Sequence, residues 1–271
     1  MYFSDINPAN VVERLIEFFK NELEETGLQK FIVGLSGGLD SSVCAVLAVK
    51  AVGAESVLGV MMPYKNSSSN SLKDAEELAG MLGIETKTVD ISPMSEAYFN
   101  IAPDINDLRQ GNFMARIRMA ILYDFAAKNK GLVLGTSNKT EALLGYGTLH
   151  GDVAWDIDPL WDLYKTQVRQ VAEYLEIPRK ILDKTPSADL WEGQTDEAEL
   201  GFTYERIDEL LYLMVDYGYD FDHLLDEGFE KDEIQRARSL VKGNQFKRLG
   251  PKVARLFHDY PGCDFIAPEE W

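Results

Sequence analysis

Apolar and polar residues alternate along the first half of the chain in two different patterns. Four short apolar runs, each bounded by polar or turn-forming residues, predict strands at residues 30–35, 56–61, 85–89 and 131–135. Between these runs apolar positions recur at helical spacing, which predicts helices over residues 40–52, 72–82 and 105–128. Residues 66–70, rich in serine and asparagine, predict a loop. An earlier helix starts at Asn7-Pro8, a typical N-cap and first position, and ends at Gly27.

Strands that alternate with helices predict an α/β fold, a doubly wound parallel sheet with helices on both faces. After residue 140 the pattern becomes helical and rich in loops, with an acidic helical stretch over residues 204–241 that ends near Gly243. The polar residues 184–201 are long enough for a mobile flap, and a plain surface connection is the alternative. No repeat or linker divides the chain, so we expect residues 1–271 to form a single domain.

The most distinctive local feature follows the first predicted strand, where a turn rich in glycine and serine leads into a helix. Residues 34–42 read Gly-Leu-Ser-Gly-Gly-Leu-Asp-Ser-Ser. Backbone N–H groups in such a turn, together with the N-terminus of the helix, attract phosphate groups. The turn is not a Walker A loop, because Leu39-Asp40 stands where that motif has Lys-Ser/Thr, and it lacks the dinucleotide-binding glycine spacing.

Asp40 changes the interpretation of this turn. A carboxylate that faces a polyphosphate repels it unless a divalent cation lies between them, so Asp40 predicts Mg²⁺ together with a nucleotide. The alternative is that Asp40 only caps the helix, as aspartate often does. The apolar strand before the turn and the paired serines after Asp40 favour the nucleotide site.

The charge balance limits the classes of partner. Acidic residues outnumber basic ones by 45 to 27, which gives a net charge of −18. Such a surface repels a phosphate backbone, so we expect no nucleic-acid partner, and an anionic substrate needs a local basic pocket. The N-terminus lacks a signal-peptide pattern and no apolar segment approaches membrane-spanning length, which predicts a cytoplasmic protein without a membrane partner. Cys44 lies in a predicted helix, where a small buried hydrophobe is expected.

Residues 36–41, Ser-Gly-Gly-Leu-Asp-Ser, resemble the pyrophosphate loop of the ATP pyrophosphatases, enzymes that cleave ATP into AMP and pyrophosphate. Within that group the chain resembles the ammonia-dependent NAD synthetases over nearly its full length. This resemblance implies the adenine nucleotide alpha hydrolase-like fold. Five further segments carry it in the same order along the chain, at residues 111–119, 135–141, 151–160, 164–166 and 186–190.

The resemblance also implies a reaction. Nicotinate adenine dinucleotide (deamido-NAD) is amidated with ammonia to give NAD, while ATP becomes AMP and pyrophosphate through an acyl-adenylate intermediate, with Mg²⁺ as cofactor. Glutamine-dependent relatives carry an additional amidase domain that 271 residues cannot accommodate beside the synthetase, so the expected donor is free ammonia or ammonia from a separate partner. The family's dinucleotide site spans a homodimer interface. The apolar residues of the helix at 105–128 serve either that interface or the core of one subunit.

Positions that match the family imply roles for individual residues. Asp40 and Glu141 match ligands of magnesium, and Lys165 matches a catalytic residue that neutralises charge at the α-phosphorus. Without the resemblance, Glu141 is an ordinary helical glutamate, Lys165 a surface lysine and Thr136 an N-cap. The positions that match ATP contacts are Gly34, Leu35, Ser36, Gly37, Gly38, Leu39, Asp40, Ser41, Ser42, Thr136, Lys165 and Ser187.

The dinucleotide side of the site departs from the family at two positions. Leu149 stands where many relatives carry lysine, and Phe246 stands where many carry histidine. Asp152 lies in the same loop as Asp156, and from that position we expect it to help bind or deprotonate ammonium, which would be a catalytic role. The positions assigned to substrate binding are Arg116, Asp156, Phe246 and Lys247.

Two alternative functions are compatible with the pyrophosphate loop. Another ATP pyrophosphatase, such as the synthetase part of a GMP synthetase or a tRNA-thiolating enzyme, shares the pyrophosphate loop. The acidic composition opposes tRNA, and residues 111–119 oppose GMP synthetase. A nucleotide-binding sensor would hold ATP without chemistry, and the predicted pair of carboxylate ligands opposes that function because binding alone does not need it.

Overall fold

The computed structural model describes residues 6–186 and 196–250, which fold around one parallel sheet. The strands are β1 (Lys30–Gly34), β2 (Val57–Met61), β3 (Glu85–Thr88) and β4 (Gly131–Leu134), hydrogen-bonded in the order β3-β2-β1-β4. Every neighbouring pair of these strands is parallel. The four predicted strands are therefore confirmed, and each lies within one residue of its predicted bounds.

The helices that precede or follow these strands cover both faces of the sheet. They are α1 (Pro8–Thr26), α2 (Leu39–Val52), α3 (Ser69–Leu82), α4 (Ser92–Phe99), α5 (Asp107–Asn129), α6 (Lys139–Leu144), α7 (Lys165–Tyr174) and α8 (Arg179–Leu182). Among the described residues, no helix combines the length and the apolar character needed to cross a membrane.

Side chains of β1 alternate between the two covered faces. Phe31 and Val33 are fully buried on one face, in a core shared with α1, α2, α3 and α7. Ile32 is equally buried on the opposite face, where it packs with residues of α5. A strand buried on both faces is typical of a parallel sheet between helices, and the predicted doubly wound architecture is confirmed.

Local signals explain why α1 begins and ends where it does. The side chain of Asn7 accepts a hydrogen bond from the N–H of Ala9 at 3.1 Å, and Pro8 occupies the first helical position. Gly27 ends the helix with a left-handed φ of 66°. These features confirm the predicted start and end of α1.

Two local predictions differ from the structure. The loop at residues 66–70 is partly wrong, because Ser68 caps α3 by accepting a hydrogen bond from the N–H of Asn70 at 3.3 Å. The sequence pattern does not predict α4, a short helix that begins at Ser92 and has Pro93 in its first turn. Its apolar residues are too few to produce a clear helical period.

The residues after 196 form a second, helical layer. Ile207, Leu210 and Ile234 are fully buried and make a core that also includes Leu144 and Tyr164. This core joins the helical layer to α6 and α7, and it confirms the predicted helical character of the last third. The helices are α9 (Asp196–Leu200), α10 (Tyr204–Leu211), which continues as a π-helical turn (Tyr212–Asp216), α11 (Phe221–Asp226), α12 (Lys231–Gly243) and α13 (Gln245–Arg248).

Candidate active site

The strand order reverses between β1 and β4, and the candidate site lies beyond the carboxyl ends of these two neighbours. The chain proceeds from β1 to β2 and β3 on one side, and β4 then pairs with β1 on the other side. Open α/β sheets bind ligands at such a switch point. The turn at residues 35–38 follows β1, and residues 135–138 follow β4, so the fold brings the two predicted nucleotide-binding segments to one crevice.

The turn after β1 is held by its own serines. The Oγ atoms of Ser36 and Ser41 lie 3.0 Å apart, and Ser36 Oγ also accepts the N–H of Gly38 at 3.2 Å. Ser42 Oγ donates to the carbonyl of Gly38 at 2.7 Å. The N-cap of α2 is Gly38, which has no side chain to bond the N–H groups of the first turn. Those N–H groups and the positive end of α2 are therefore oriented to receive an anion.

Gly37 can only be a glycine in this turn. Its φ of +75° lies in the left-handed region, and a Cβ atom there would stand 2.0 Å from the carbonyl oxygen of Ser71. The ammonium of Lys184 bridges the same two segments, donating to Gly37 O at 3.2 Å and to Ser71 Oγ at 2.8 Å. A cation thus lies directly beside the candidate phosphate loop.

Asp40, Glu141 and Lys165 converge at the end of this turn. The ammonium of Lys165 forms an ion pair with Asp40, and it lies 3.6 Å from Glu141 Oε1. Asn138 donates from Nδ2 to Asp40 Oδ1 at 3.2 Å. The carboxylate of Asp40 is therefore directed at the crevice, and the alternative that it only caps α2 is not what the structure shows. The folded chain brings together three residues that lie up to 125 positions apart.

Burial and neighbouring charges change the pKa values of the residues in this cluster. Desolvation raises the pKa of Glu141 to about 8, with Asp40 adding to the rise and Lys165 opposing it. Burial also acts against the ammonium of Lys165, but the carboxylates of Asp40 and Glu141 outweigh it and raise the pKa of Lys165. Two carboxylates and one ammonium leave the cluster with spare negative charge when all three are ionised.

The donor atoms of Asp40 and Glu141 suit Mg²⁺. Both supply carboxylate oxygen, the hard ligand that Mg²⁺ prefers, and both approach a common cation, the Lys165 ammonium. Within residues 6–186 and 196–250, no group of three or more histidine, cysteine, aspartate or glutamate side chains could hold a metal alone. One or two carboxylates completed by phosphate oxygens and water is the usual arrangement for Mg²⁺ with a nucleotide.

A cleft of about 340 Å³ opens beside Lys165 and extends along α7. Lys165, Arg169 and Lys184 contribute cationic side chains to its lining, while Glu197 and Glu205 contribute acidic ones. Its volume falls within the range of small-molecule sites. Asp183 adds a third acidic side chain, so the cleft offers three cationic groups to an anionic substrate without a net positive charge.

Lys247 and Arg248 of α13 approach the other side of Glu141. Lys247 donates to the carbonyls of Gly145 and Gly147 at 2.7 and 2.8 Å. Arg248 donates to carbonyls at the C-terminal end of α6, including that of Leu143 at 2.7 Å. Cations at this end of a helix are favourable because its carbonyls carry partial negative charge. Lys247 lines a pocket together with Glu141, whereas Phe246 is 56% exposed.

The other predicted substrate-binding residues have partners within the protein. Arg116 donates to the carbonyl of Leu149 at 3.1 Å, and its side chain is largely exposed. Asp156 accepts the backbone N–H of Val133 at 2.7 Å, which fixes it beside β4. These contacts do not test whether Arg116 and Asp156 also bind a substrate, so those roles stay predictions.

Three further predicted positions need comment. The carboxylate of Asp152 accepts the N–H of Thr148 at 2.7 Å. Thr136 is not an N-cap, because the helix after β4 is capped by Asn138, whose side chain accepts the N–H of Glu141 at 3.0 Å. Ser187 lies outside the described residues, as does the rest of the predicted flap from 187 to 195, and flap motion stays a prediction.

Sequence reasoning missed three residues that the structure brings to the site. Asn138 carried a signal, because Asn-x-x-Glu is a capping box that fixes Glu141 in the first turn of α6. Lys184 had none beyond its position before Thr185-Pro186. Asp208 of α10 is fully buried, and its partners lie 42 and 68 positions away along the chain, so no local pattern could reveal it.

Known proteins resemble this chain over most of its length. The chain matches the sequence model of the family described as NAD synthase over residues 11–251. It is 49% identical over 257 residues to the protein named NH(3)-dependent NAD(+) synthetase from Chlorobaculum tepidum, covering 95% of this chain and 93% of that protein.

Two solved structures share the fold closely. The structure of NMN synthetase from Francisella tularensis has a TM-score of 0.82 at 35% identity and covers 93% of this chain and 100% of that one. The NH3-dependent NAD synthetase from Campylobacter jejuni, solved with a nitrate ion, has a TM-score of 0.80 at 31% identity. The match covers 92% of this chain and 100% of that one.

Proposed function

The chain belongs to the NAD synthase family, and from this premise we propose that it amidates deamido-NAD with ammonia in an ATP-dependent reaction. The products are NAD, AMP and pyrophosphate. The observation that carries the proposal is the convergence of Asp40, Glu141 and Lys165 beside a glycine-rich turn at the strand-end crevice. We expect the enzyme to lie in the cytoplasm, because the reaction consumes ATP and the cytoplasm supplies it.

The first step makes the nicotinate carboxylate reactive. A carboxylate resists amidation because ammonia would have to expel oxide, so a carboxylate oxygen first attacks the α-phosphorus of ATP and pyrophosphate leaves. The backbone of residues 36–42 holds the departing phosphates at the N-terminus of α2. Lys165 stabilises the negative charge that develops at the α-phosphoryl group, because its buried ammonium is held by two carboxylates beside the turn.

Asp40 and Glu141 would hold the metal ion in this proposal. When bound, Mg²⁺ neutralises charge on the triphosphate and so favours pyrophosphate departure. Asn138 supports the arrangement from both sides, because it donates to Asp40 and caps the helix turn that carries Glu141.

In the second step ammonia attacks the carbonyl carbon of the acyl adenylate and AMP leaves. The attacking nitrogen must lose a proton to give the neutral amide, and ammonium must lose one before it can attack. Asp152 is our candidate for binding ammonium, and its carboxylate interacts electrostatically with the ammonium of Lys247. Arg116, Asp156 and Phe246 stay candidates for holding the dinucleotide, and Ser187 and Thr136 for ATP.

A shorter acceptor is the second candidate substrate. The similarity to a protein named NMN synthetase favours testing nicotinate mononucleotide, whose amidation by the same chemistry would give NMN. The identity of 49% to an NH(3)-dependent NAD(+) synthetase, against 35% to that structure, favours the dinucleotide.

The deciding assay supplies purified protein with Mg-ATP and ammonium chloride, and with either deamido-NAD or nicotinate mononucleotide. We expect AMP and NAD in equal amounts, both dependent on deamido-NAD. AMP and NMN from the mononucleotide instead would assign the shorter substrate. AMP without either amide would indicate another acceptor, and bound ATP without AMP would indicate a nucleotide sensor. Glutamine in place of ammonium should give no product if residues 1–271 hold only the synthetase domain.

Homodimer formation is part of the proposal and involves the region of α4 and α5. Part of the apolar face of α5 serves the subunit core, since Met114 is buried against Tyr64 and Ile91. Ile101 and Leu108, however, are 77% and 64% exposed near the same region. We expect light scattering to report a dimer, and Leu108→Asp to shift it toward monomer; an unchanged dimer would exclude this surface.

A further inference from the structure

Asp208 is a fully buried carboxylate of α10 that the reaction described above does not use. Its Oδ1 atom accepts the hydroxyl of Thr140, and its Oδ2 atom accepts the N–H and the hydroxyl of Thr166 at 2.9 and 2.8 Å. Burial raises the pKa of Asp208 to about 6, and the hydrogen bonds from Thr140 and Thr166 oppose that rise. The group is therefore mostly a carboxylate at neutral pH.

The partners of Asp208 are the sequence neighbours of two site residues. Thr140 immediately precedes Glu141 in the first turn of α6, and Thr166 immediately follows Lys165 at the start of α7. Thr140 Oγ1 also accepts the backbone N–H of Lys165 at 3.0 Å. A continuous chain of hydrogen bonds therefore runs from the Lys165 backbone through the Thr140 hydroxyl to the Asp208 carboxylate.

This arrangement joins two helix N-termini through one anion. Asp208 lies against the first turn of α7, where a negative charge is favoured by the helix dipole. Burying a carboxylate is costly, and apolar residues at such positions are often no less stabilising. A carboxylate that takes donors from both α6 and α7 fixes the distance between them, which apolar packing specifies less sharply.

We propose that Asp208 is a positioning residue for adenylation that acts through Thr140 and Thr166. Its hydrogen bonds to these two threonines hold the neighbouring Glu141 carboxylate and Lys165 ammonium in position beside Asp40. The inference rests on the proposed function, since it concerns the same site. Asp208 touches neither substrate nor metal in this scheme. A small displacement of Lys165 would weaken its contact with the transition state more than it would weaken binding of ATP.

The test is Asp208→Asn in the full chain, because asparagine keeps the shape but places an N–H₂ group where one oxygen accepted donors. Initial rates of AMP and NAD formation give kcat and KM for ATP and deamido-NAD. We expect kcat to fall about 10- to 100-fold, as is typical when a support of a site residue is removed. Both KM values should change by less than about threefold. Glu209→Gln, on the same helix, is the control and should keep wild-type kcat.

A second pair of variants covers the case in which Asp208→Asn does not fold. Thr140→Val removes the linking hydroxyl while keeping the shape, and Thr140→Ser restores the hydroxyl. Loss of kcat in the valine variant and its recovery in the serine variant would support the proposal. The double variant Asp208→Asn with Thr140→Val should lose no more than the worse single variant, because both break one chain of bonds.

The outcomes separate this inference from the proposed function. If wild type makes NAD and AMP, and Asp208→Asn or Thr140→Val keeps its kcat while only the melting temperature falls, Asp208 is merely structural and the inference is wrong. If KM for ATP rises in place of the fall in kcat, the residue serves binding and the inference is also wrong. If wild type and Glu209→Gln both make no AMP, the proposed function itself fails and the inference fails with it.

Discussion

Replacing Glu141 with glutamine tests the electrostatics of the candidate site, and we expect the metal-free protein to become more stable. Glu141 faces Asp40, Asp196 and Lys165, and burial raises its pKa to about 8 from an ordinary value of 4.5. Because the folded pKa lies above the unfolded one, the folded protein retains a proton that the unfolded chain releases. Within this window the free energy of unfolding therefore falls as the pH rises from 4.5 toward 8.

The size of this effect follows from the same shift. At about 1.4 kcal/mol per pKa unit, the full rise corresponds to roughly 4–5 kcal/mol. The Glu141 side chain keeps 17% of its exposure, and Lys165 lies 3.6 Å away, so we expect a smaller measured difference. Glutamine cannot ionise, yet its side-chain oxygen can still accept the N–H of Asn138. The free energy of unfolding of Glu141→Gln should thus exceed that of wild type by about 2–4 kcal/mol near pH 8, and the difference should almost vanish near pH 5.

Urea unfolding in EDTA, followed by circular dichroism at several pH values between about 5 and 8, measures this difference. Glu173→Gln is the matched control, because Glu173 is an exposed glutamate on α7 and its replacement should leave the pH dependence unchanged. Activity should be lost in Glu141→Gln but kept in the control. Parallel stability curves for Glu141→Gln and wild type, or a less stable variant near pH 8, would refute the reasoning.

Three further substitutions probe the phosphate side of the site. Asp40→Asn should reduce AMP formation at least about 100-fold while circular dichroism shows an intact fold, and near-normal turnover would remove Asp40 from the metal site. Gly37→Ala should weaken ATP binding at least about tenfold by calorimetry, whereas Gly80→Ala, in open space on α3, should raise stability by about 0.5–1 kcal/mol. Lys184→Met should raise KM for ATP about tenfold, and Lys180→Met, which removes ion pairs with Asp74 and Glu77 of α3 but no contact with Gly37, should not; equal KM values in the two variants would exclude Lys184.

Local patterns were sufficient wherever the determining interactions lie within a few residues. The apolar runs located all four strands of the sheet within one residue, and Asn7, Pro8 and Gly27 located the ends of α1. A strand needs only a short apolar run, and a helix end needs one cap, so both are readable from neighbouring positions. The glycine-serine turn was recognisable for the same reason, since the hydrogen bonds of its own serine hydroxyls join residues at most five positions apart.

The resemblance to a family supplied what local patterns could not, namely that Glu141 and Lys165 face Asp40. In isolation each of the two is an ordinary charged helix residue. The resemblance did not show which residues contact the substrate and which contact other parts of the protein. Lys247 was expected at the substrate and donates to two backbone carbonyls, and only the folded chain shows both partners.

By itself, the sequence determined the strands, the glycine-serine turn and the family, because these depend on short segments that fold in nearly fixed ways. The tertiary structure decided which distant side chains meet. Asp208 reaches Thr140 across 68 positions, and Lys184 reaches Gly37 across 147. It also decided the pKa of Glu141, since burial and neighbouring charges set it. Such contacts arise when packed helices exclude water, and no periodicity along the chain encodes which polar group will be enclosed with which partner.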